Sequence, residues 1–411
     1  MTATALQQEE HLPEAIVCKW CGKSFHYLKS HISMGRCENT PESAKGLDVD
    51  EVVKMYTSAF PDEPTISRTA LAKLNEKRAE KHSGEGKVAE ISAHPGYAGT
   101  VEYKTELVAA HELLGVTIKE LGTPRGKPLQ VTVNVNTPYP EFVPEAKKNY
   151  VYGDFDLIKD IFMMLEIGIP GYLWGHAGTG KSSLPTQLCA LLNRPLIRAQ
   201  HTASMEEAHV TGQILARDGS TYFEPGLLAL AMKNGWVYLA DEYDFAFPQI
   251  LGVYQPVLEG EPLIIKEATP DWRRITPHKR FAFIGTGNTN GSGDETGLYQ
   301  GTNIQNAANF SRFGIVSNVK YMSTKAEVNM LAEAGVIREY AEKMVKFANL
   351  VREGYEQHLI SQPIGPRELL LSAKIGMMRG DFSAGIEKSF INKLPSTSAQ
   401  AAREVVQKIF G

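Results

Sequence analysis

The features that this 411-residue sequence lacks exclude several classes of protein. It has no apolar run near the roughly 18 residues that a membrane-spanning helix requires, so we expect no membrane association. Its 43 Lys and Arg against 47 Asp and Glu give a net charge of −4, which excludes attraction of nucleic acid by the whole surface but not by a local basic patch. Residues 1–13 are polar and acidic and lack the features of a signal peptide, which favours a cytoplasmic location. No internal repeat is visible.

Cysteine is also scarce, but its distribution is informative. Three of the four cysteines lie within the first 37 residues. In a reducing compartment such a cluster favours metal binding over disulfides. Cys18 and Cys21 form a Cys-x2-Cys knuckle, and His31 with Cys37 can complete a tetrahedral Zn²⁺ site. The alternative is a set of reduced surface cysteines.

The spacing around these cysteines resembles a zinc finger of the Ros/MucR type. Phe25 and Leu28 are the expected apolar core of so small a unit, whose folding would depend on the metal. His26 is a competing ligand, which we expect to face solvent. Cys37 stands where the family has a histidine. A basic face permits contact with nucleic-acid phosphates, although a protein-docking or structural role fits equally well; it consists of Lys19, Lys23, Lys29 and Arg36.

A glycine-rich stretch in the middle of the chain has the pattern G-x-x-x-x-G-K-[ST] of a phosphate-binding loop. It consists of Gly175, His176, Ala177, Gly178, Thr179, Gly180, Lys181 and Ser182. The apolar stretch 169–174 predicts a strand before it, and 183–192 a helix after it. This context favours a nucleotide site over a glycine-rich turn that contains a lysine by chance.

The loop predicts how ATP would be bound. Its backbone N–H groups and the following helix N-terminus, which begins at Ser183, would surround the phosphates. Lys181 would reach the β- and γ-phosphates, and the Ser182 hydroxyl would ligate Mg²⁺.

Two further predicted strands end in polar side chains. The apolar stretch 235–240 is followed by Asp241 and Glu242, which we interpret as a Mg²⁺ ligand and the residue that activates the attacking water. The stretch 281–287 is followed by Asn288, which would lie beside the γ-phosphate because parallel sheets bind ligands at the carboxyl ends of their strands. The alternative for Asn288 is a turn cap.

Two arginines are candidates for contact with phosphate charge. Arg312 follows a short helical stretch, and Arg367 opens a helix whose first turn contains Pro366. A guanidinium group offers several fixed hydrogen-bond donors to phosphate oxygens. The alternative for each is a surface ion pair.

The stretch 150–411 resembles the AAA+ ATPases, within them the MoxR group, and in particular the CobS-type ATPase subunit of aerobic cobaltochelatases. The resemblance depends on the phosphate-binding loop and on the stretches 241–244, 286–289, 293–302 and 389–394. It implies a hexameric ring with ATP between subunits. It implies that Asn288 is the residue called sensor 1, that Arg312 is an arginine finger acting on a neighbour's ATP, and that Arg367 is the residue called sensor 2.

The predicted fold class is α/β: an AAA+ P-loop NTPase with a parallel sheet flanked by helices, a C-terminal helical lid, and a small N-terminal zinc finger with a helical segment. Within it we predict helices at 49–60, 67–82 and 101–116, a strand at 131–135 and a hairpin at 212–223. The predicted organisation is a disordered tail (1–15), the zinc finger (16–40), a helical region with a linker at 83–86 (41–130), the ATPase core (131–320) and the lid (321–411).

The resemblance further implies an ATP-hydrolysing ring that remodels or activates a protein partner containing a von Willebrand factor A domain, with the 201–225 segment facing the pore or the substrate. Two alternatives are an ATPase recruited to DNA by the finger and the ATPase component of a cobalt chelatase. A finger fused to such a core is also reminiscent of stand-alone relatives encoded by bacteriophages, which act in the host cytoplasm.

Overall fold

The structure, a computed structural model, describes residues 13–33, 37–44, 48–61, 63–70, 102–217 and 220–411. The chain divides into two units, residues 1–91 and 92–411. The predicted tail up to residue 12, most of the predicted helix at 67–82 and the predicted linker at 83–86 lie outside the described residues.

The first unit begins with a two-stranded antiparallel sheet in which Ile16 pairs with Phe25. Gly22, with a φ of 72°, makes the turn between the strands, and its N–H donates to the Cys18 carbonyl. The unit contains β1 (Ile16–Val17), β2 (Ser24–Phe25), α1 (Leu28–Ser33), a 3₁₀ turn (Glu42–Ala44) and α2 (Val49–Ala59).

Phe25 and Leu28 are buried, as predicted, but the core that they join includes residues beyond 40. Tyr56 on α2 is fully buried, accepts the Lys19 N–H at 3.0 Å and lies edge-on to Trp20 at 4.8 Å. The apolar face of α2 therefore completes the small hydrophobic cluster on which the cysteines lie.

The second unit is built around a parallel sheet. Its strands are β3 (Thr105–Ala109), β4 (Gln130–Asn134), β5 (Gly171–Trp174), β6 (Leu196–Gln200), β7 (Gly212–Arg217), β8 (Ser220–Pro225), β9 (Val237–Asp241), β10 (Leu263–Ile264), β11 (Arg274–Ile275), β12 (Ala282–Gly287) and β13 (Ile315–Asn318). Five of them form the sheet, in the order β13-β5-β12-β9-β6, and every neighbouring pair is parallel.

Both faces of this sheet are covered. Along β9, Val237 and Leu239 enter one hydrophobic cluster, whereas Tyr238 and Ala240 enter another on the opposite face. A strand buried on both faces reads as a continuous apolar run, which is how β9 appears in the sequence. The predicted α/β class, with a helical region after the sheet, is confirmed.

The helices of this unit are α3 (Ala110–Leu114), α4 (Phe155–Ile167), α5 (Ser183–Leu191), α6 (Glu207–Thr211), α7 (Leu227–Asn234), α8 (Pro248–Leu251), α9 (Gln255–Leu258), α10 (Pro270–Arg273), α11 (Ala307–Phe310), α12 (Thr324–Glu333), α13 (Arg338–Glu356), α14 (Pro366–Arg379), α15 (Phe382–Ser389) and α16 (Ser396–Phe410). Helices α12 to α16 share a hydrophobic core of their own. We call this helical region the lid. None of the helices in the described part of the chain is both long and apolar enough to span a membrane.

One prediction is wrong: the stretch 101–116 is not a single helix. Strand β3 and the short helix α3 replace it, and residues 105 to 109 pair with β4 in an antiparallel ladder in which Val108 faces Val131. The physical reason is tertiary, since the partner strand supplies backbone hydrogen bonds that local helical propensity cannot outweigh. The hairpin of β7 and β8 is present, and its predicted Asp-Gly turn at 218–219 lies outside the described residues.

Candidate functional site

The glycine-rich loop connects the carboxyl end of β5 to α5. Gly175, Gly178 and Gly180 have backbone φ angles of 148°, 80° and 103°, which residues other than glycine rarely adopt. A Cβ on Gly175 would lie 2.4 Å from the Val319 carbonyl oxygen. The glycines are therefore required by the backbone path.

Lys181 lies across this loop and is only 9% exposed. Its Nζ donates to the carbonyl oxygens of Gly175 at 2.7 Å and His176 at 2.9 Å, and to Asn288 Oδ1 at 3.0 Å. Burial lowers the pKa of Lys181 to about 8, against the opposing effect of nearby carboxylates. The structure thus brings the loop lysine and Asn288 together, although they lie 107 positions apart.

Asp241 ends β9 and is 2% exposed. One carboxylate oxygen accepts from the Ser182 and Thr286 hydroxyls, the latter at 2.5 Å, and the other accepts from Arg198 Nε at 2.7 Å. Burial by itself would raise the pKa of Asp241, but these hydrogen bonds outweigh it and hold the pKa below the ordinary value. The site therefore keeps an ionised carboxylate beside the Ser182 hydroxyl, which is a suitable donor set for Mg²⁺.

Glu242 adopts a left-handed conformation, with a φ of 53°, at the end of the same strand. Its N–H donates to the Thr286 hydroxyl at 3.2 Å, and its carboxylate accepts from Gln200 Nε2 at 2.9 Å. Burial, and then the charges of Asp241 and Asp244, raise the pKa of Glu242. A carboxylate with a raised pKa is a stronger base for activating water.

Asn288 is oriented by a buried neighbour. Asp244, which is fully buried, accepts the backbone N–H groups of Asn288 at 2.8 Å and Thr289 at 2.9 Å, and the Thr289 hydroxyl at 3.0 Å. Burial raises the pKa of Asp244, whereas these hydrogen bonds lower it. Asp244 therefore fixes the backbone from which Asn288 reaches Lys181.

The lid approaches the loop where α14 begins. A Cβ on Gly365 would lie 2.7 Å from the Ala177 carbonyl oxygen, and a Cβ on Gly178 would lie 3.4 Å from the Arg367 Cβ. The Arg367 charge also contributes to the lowered pKa of Lys181, after burial as the main cause. The structure thus places Arg367 at the loop, with an exposed side chain.

Aromatic side chains also surround the loop. The Tyr299 hydroxyl lies 2.9 Å from His176 Nδ1 and accepts the Ala177 N–H at 3.1 Å. The Tyr321 ring stacks on His176 with a centroid distance of 5.8 Å, and the Arg352 guanidinium lies 4.0 Å from the centre of that ring. Burial, and then the Lys181 charge, lower the pKa of His176.

Arg312 is engaged away from the loop. Its Nε donates to Glu259 at 2.7 Å, and its Nη1 donates to the Ala308 carbonyl. The structure therefore gathers the loop, Asp241, Glu242, Asn288 and Arg367 in one chain but does not bring Arg312 to them.

Sequence reasoning missed several residues of this site. Arg198 and Gln200 lie two positions apart on β6, the edge strand beside β9. Thr286 lies on β12, the strand on the other side of β9. A signal for the first two exists in the sequence, since residues two apart on a strand share a face. The order of the strands, which decides that β6 adjoins β9, is not apparent from any one of them.

The predicted metal ligands lie together in the first unit. Ligand atoms of Cys18, Cys21, His31 and Cys37 all lie within 4.8 Å of one another. The sulfurs of Cys18 and Cys37 are 3.8 Å apart, and Cys21 Sγ lies 3.3 Å from His31 Nε2. His26 is exposed and contacts Ser67 instead.

This group fits Zn²⁺. Two sulfurs bonded to one tetrahedral zinc at about 2.3 Å lie about 3.8 Å apart, which is the separation of Cys18 and Cys37. Burial raises the pKa of the Cys37 thiol to about 11, which favours the protonated thiol. A bound dication would reverse that preference, because a coordinating thiol is deprotonated.

Residues 172–302 match the AAA domain of the dynein-related subfamily. The chain is 32% identical over 249 residues to the aerobic cobaltochelatase subunit CobS of Sinorhizobium, a match that spans 58% of this chain and 74% of that protein. An uncharacterized protein of Staphylococcus aureus is 23% identical over 265 residues, which span 62% of this chain and 96% of the relative.

Among solved structures, the RuvB Holliday junction branch migration motor of Thermotoga maritima is 13% identical, with a TM-score of 0.38. That match covers 65% of this chain and 72% of the other. The family match does not include the cysteine group of the first unit.

Proposed function

Since this chain belongs to the AAA+ ATPases related to CobS, we propose that it forms a Mg²⁺-dependent, ATP-hydrolysing ring, hexameric in the manner of its family, that remodels or activates a protein partner. The observation that supports this is the convergence of Lys181, Asp241, Glu242 and Asn288 at the carboxyl ends of three adjacent parallel strands. Parallel sheets bind their ligands at that edge.

Each residue has a role that its environment supports. Ser182 and Asp241 would hold Mg²⁺, which offsets phosphate charge when bound. Lys181 and Asn288 would contact the γ-phosphate, and Glu242 would accept the proton of the attacking water. Arg367 would add charge from the lid, because α14 begins beside the loop.

Arg312 would act on the neighbouring subunit. In its own chain it pairs with Glu259 and lies away from Lys181, while its side chain keeps 24% exposure. Arginine fingers supplied by a neighbour accelerate phosphoryl transfer by about 10³-fold or more. We therefore expect each ATP to be hydrolysed between two subunits.

A mixing experiment tests the shared site. The Arg312→Ala protein and the Glu242→Gln protein should each lose about 10³-fold in kcat. Mixed, they should recover ATPase activity, because the intact arginine of one subunit faces the intact base of the other. Absence of recovery at every ratio, with both proteins assembling normally, would refute the shared site.

The hairpin β7–β8 is the segment that we assign to partner contact. Its Ile214 and Tyr222 side chains are 52% and 40% exposed and lie on opposite faces of the hairpin, so each face offers apolar surface to a partner. We propose a von Willebrand factor A domain protein as the partner. The Glu242→Gln protein with ATP should co-purify this partner, and adding Ile214→Ser to it should weaken that capture. In the otherwise native chain, Ile214→Ser should leave the basal ATPase rate unchanged. Capture of DNA instead would favour the finger as a recruiting module.

The relationship to CobS favours a second candidate, the ATPase component of a metal chelatase. It predicts that metal insertion into a tetrapyrrole depends on this chain and stops with Glu242→Gln. Full metallation in the absence of the chain would dismiss it.

We also propose that Cys18, Cys21, His31 and Cys37 bind Zn²⁺. Contact of this finger with DNA phosphates receives little support, because Lys19 pairs with Glu63 at 2.7 Å and Lys23 pairs with Glu38. These carboxylates offset two of the charges that the basic face would supply.

A further inference from the structure

We propose that Tyr243 and Asn309 are positioning residues for the arginine finger, and that their hydrogen bond connects the catalytic turn of one subunit to the arginine that this subunit presents to its neighbour. The inference rests on the shared ATP site proposed above. It concerns Tyr243, which directly follows Glu242, and Asn309, which lies three residues before Arg312.

The two side chains meet in the interior of the core. Tyr243 directly follows Glu242 and is fully buried. Asn309 is 3% exposed, and its Nδ2 donates to the Tyr243 hydroxyl at 2.8 Å. A second contact from Asn309 Nδ2, to the Leu251 carbonyl, is longer at 3.5 Å. The bond to Tyr243 is therefore the stronger polar anchor of this amide.

Helix α11, which contains Asn309, depends on such anchors. It has only four residues, too few to be stable through its own backbone hydrogen bonds. Asn306 caps its start by accepting the N–H groups of Ala308 and Asn309. Phe310, its last residue, lies edge-on to Tyr172 at 5.2 Å. The hydrogen bond to Tyr243 adds the directional contact that apolar packing cannot supply.

The position of this helix decides where Arg312 begins. Arg312 follows the helix closely and folds back onto it, since its guanidinium donates to the Ala308 carbonyl as well as to Glu259. At the Tyr243 end of the hydrogen bond, the preceding residue Glu242 has a left-handed backbone conformation that an L-residue adopts at some cost in free energy. A shift of that turn would displace Tyr243, and with it the helix that precedes the finger.

The mixing experiment can isolate this connection. The Arg312→Ala subunit serves as recipient, and the Glu242→Gln subunit serves as donor of the finger. A donor that also carries Tyr243→Phe or Asn309→Ala should lower the kcat of the mixture about fivefold, the effect of losing roughly one hydrogen bond. The KM for ATP should not change, because the recipient's binding site is intact. Both substitutions in one donor should lower kcat no further than one, since they remove the same bond.

Tyr238→Phe in the donor is the matched control. Tyr238 is also fully buried, and its hydroxyl lies 2.9 Å from that of Tyr254, but it does not contact α11 through that hydroxyl. This donor should restore activity as the parent donor does. Equal rescue by the Tyr243→Phe and Tyr238→Phe donors, with all donors incorporated equally by sedimentation, would overturn the inference while leaving the shared site intact. No rescue by the parent donor would refute both the shared ATP site and the inference that rests on it.

Discussion

The two candidate sites of this chain differ in what holds their residues in place. In the first unit, four ligands come from one short segment, in which Cys18 and Cys37 are 19 positions apart. In the second, Ser182 and Asp241 are 59 positions apart, and Lys181 and Asn288 are 107 apart. The local site needs only a short chain, whereas the distributed site needs a complete fold.

The surrounding cores differ accordingly. The cysteine group lies on a small cluster formed by Ile16, Cys18, Phe25, Leu28, Cys37 and Tyr56, so two of its six buried members are themselves proposed metal ligands. The sheet of the ATPase core separates two much larger clusters, of 24 and 20 buried residues. We therefore expect a bound metal to contribute more to the folding of the first unit than a bound ligand contributes to the folding of the second.

Removal of metal should give the largest contrast between the two units. A chelator, or Cys18→Ser, should unfold residues 13–70, because structural zinc contributes on the order of 10 kcal/mol to such modules. Amide hydrogen exchange on the full chain should show lost protection there and unchanged protection across β5 and β9.

Cys189→Ala is the control for this comparison, because Cys189 is fully buried in the ATPase core, far from the ligand group in sequence. It should retain one zinc per chain by metal analysis. Protection of residues 13–70 that survives complete metal removal would mean that the unit folds by packing alone.

Breaking an ion pair in the lid should lower the free energy of unfolding by less than removal of metal does. Arg352 donates two hydrogen bonds of 2.8 Å to Glu327, which is fully buried. Glu327→Gln leaves a buried unpaired guanidinium and should lower the free energy of unfolding of the lid by about 3–5 kcal/mol. Glu387→Gln breaks the exposed pair with Arg403 and should lower the free energy of unfolding far less, because solvent screens an exposed ion pair. Equal costs by denaturant unfolding would contradict the view that buried polar contacts stabilise this unit.

The smallest effect should appear as a pH dependence. Burial lowers the pKa of His201 to about 4, from an unfolded value of about 6.5. Between these values the unfolded chain binds more protons, so the stability that is fully present above pH 6.5 is lost as the pH falls toward 4. His201→Gln should flatten this loss in unfolding experiments, whereas His209→Gln, on an exposed residue, should not. Identical slopes for native and His201→Gln proteins would exclude His201 as a cause.

Much of the fold could be predicted because its signals are local. The apolar stretch before the glycine loop and the one before Asp241 are strands, and the α/β class followed from them. The stretch 101–116 could not be predicted correctly, because β3 exists through its pairing with β4. The burial of Tyr56 with the cysteines could not be predicted either, since Tyr56 joins that core only when α2 packs against the cysteine knuckle.

Local patterns in the sequence are enough to predict the chemistry of both candidate sites: a phosphate-binding loop with its lysine and hydroxyl, a strand ending in two carboxylates, and a Cys-x2-Cys knuckle. Residue type and short spacing carry that information, because these groups act through properties of their own side chains. Three contacts become visible when the chain is folded: Arg198 pairs with Asp241, Gln200 contacts Glu242, and Tyr243 contacts Asn309. Those contacts depend on strand order and helix packing, which arise from the burial of apolar surface across the whole core and are not encoded in any one segment.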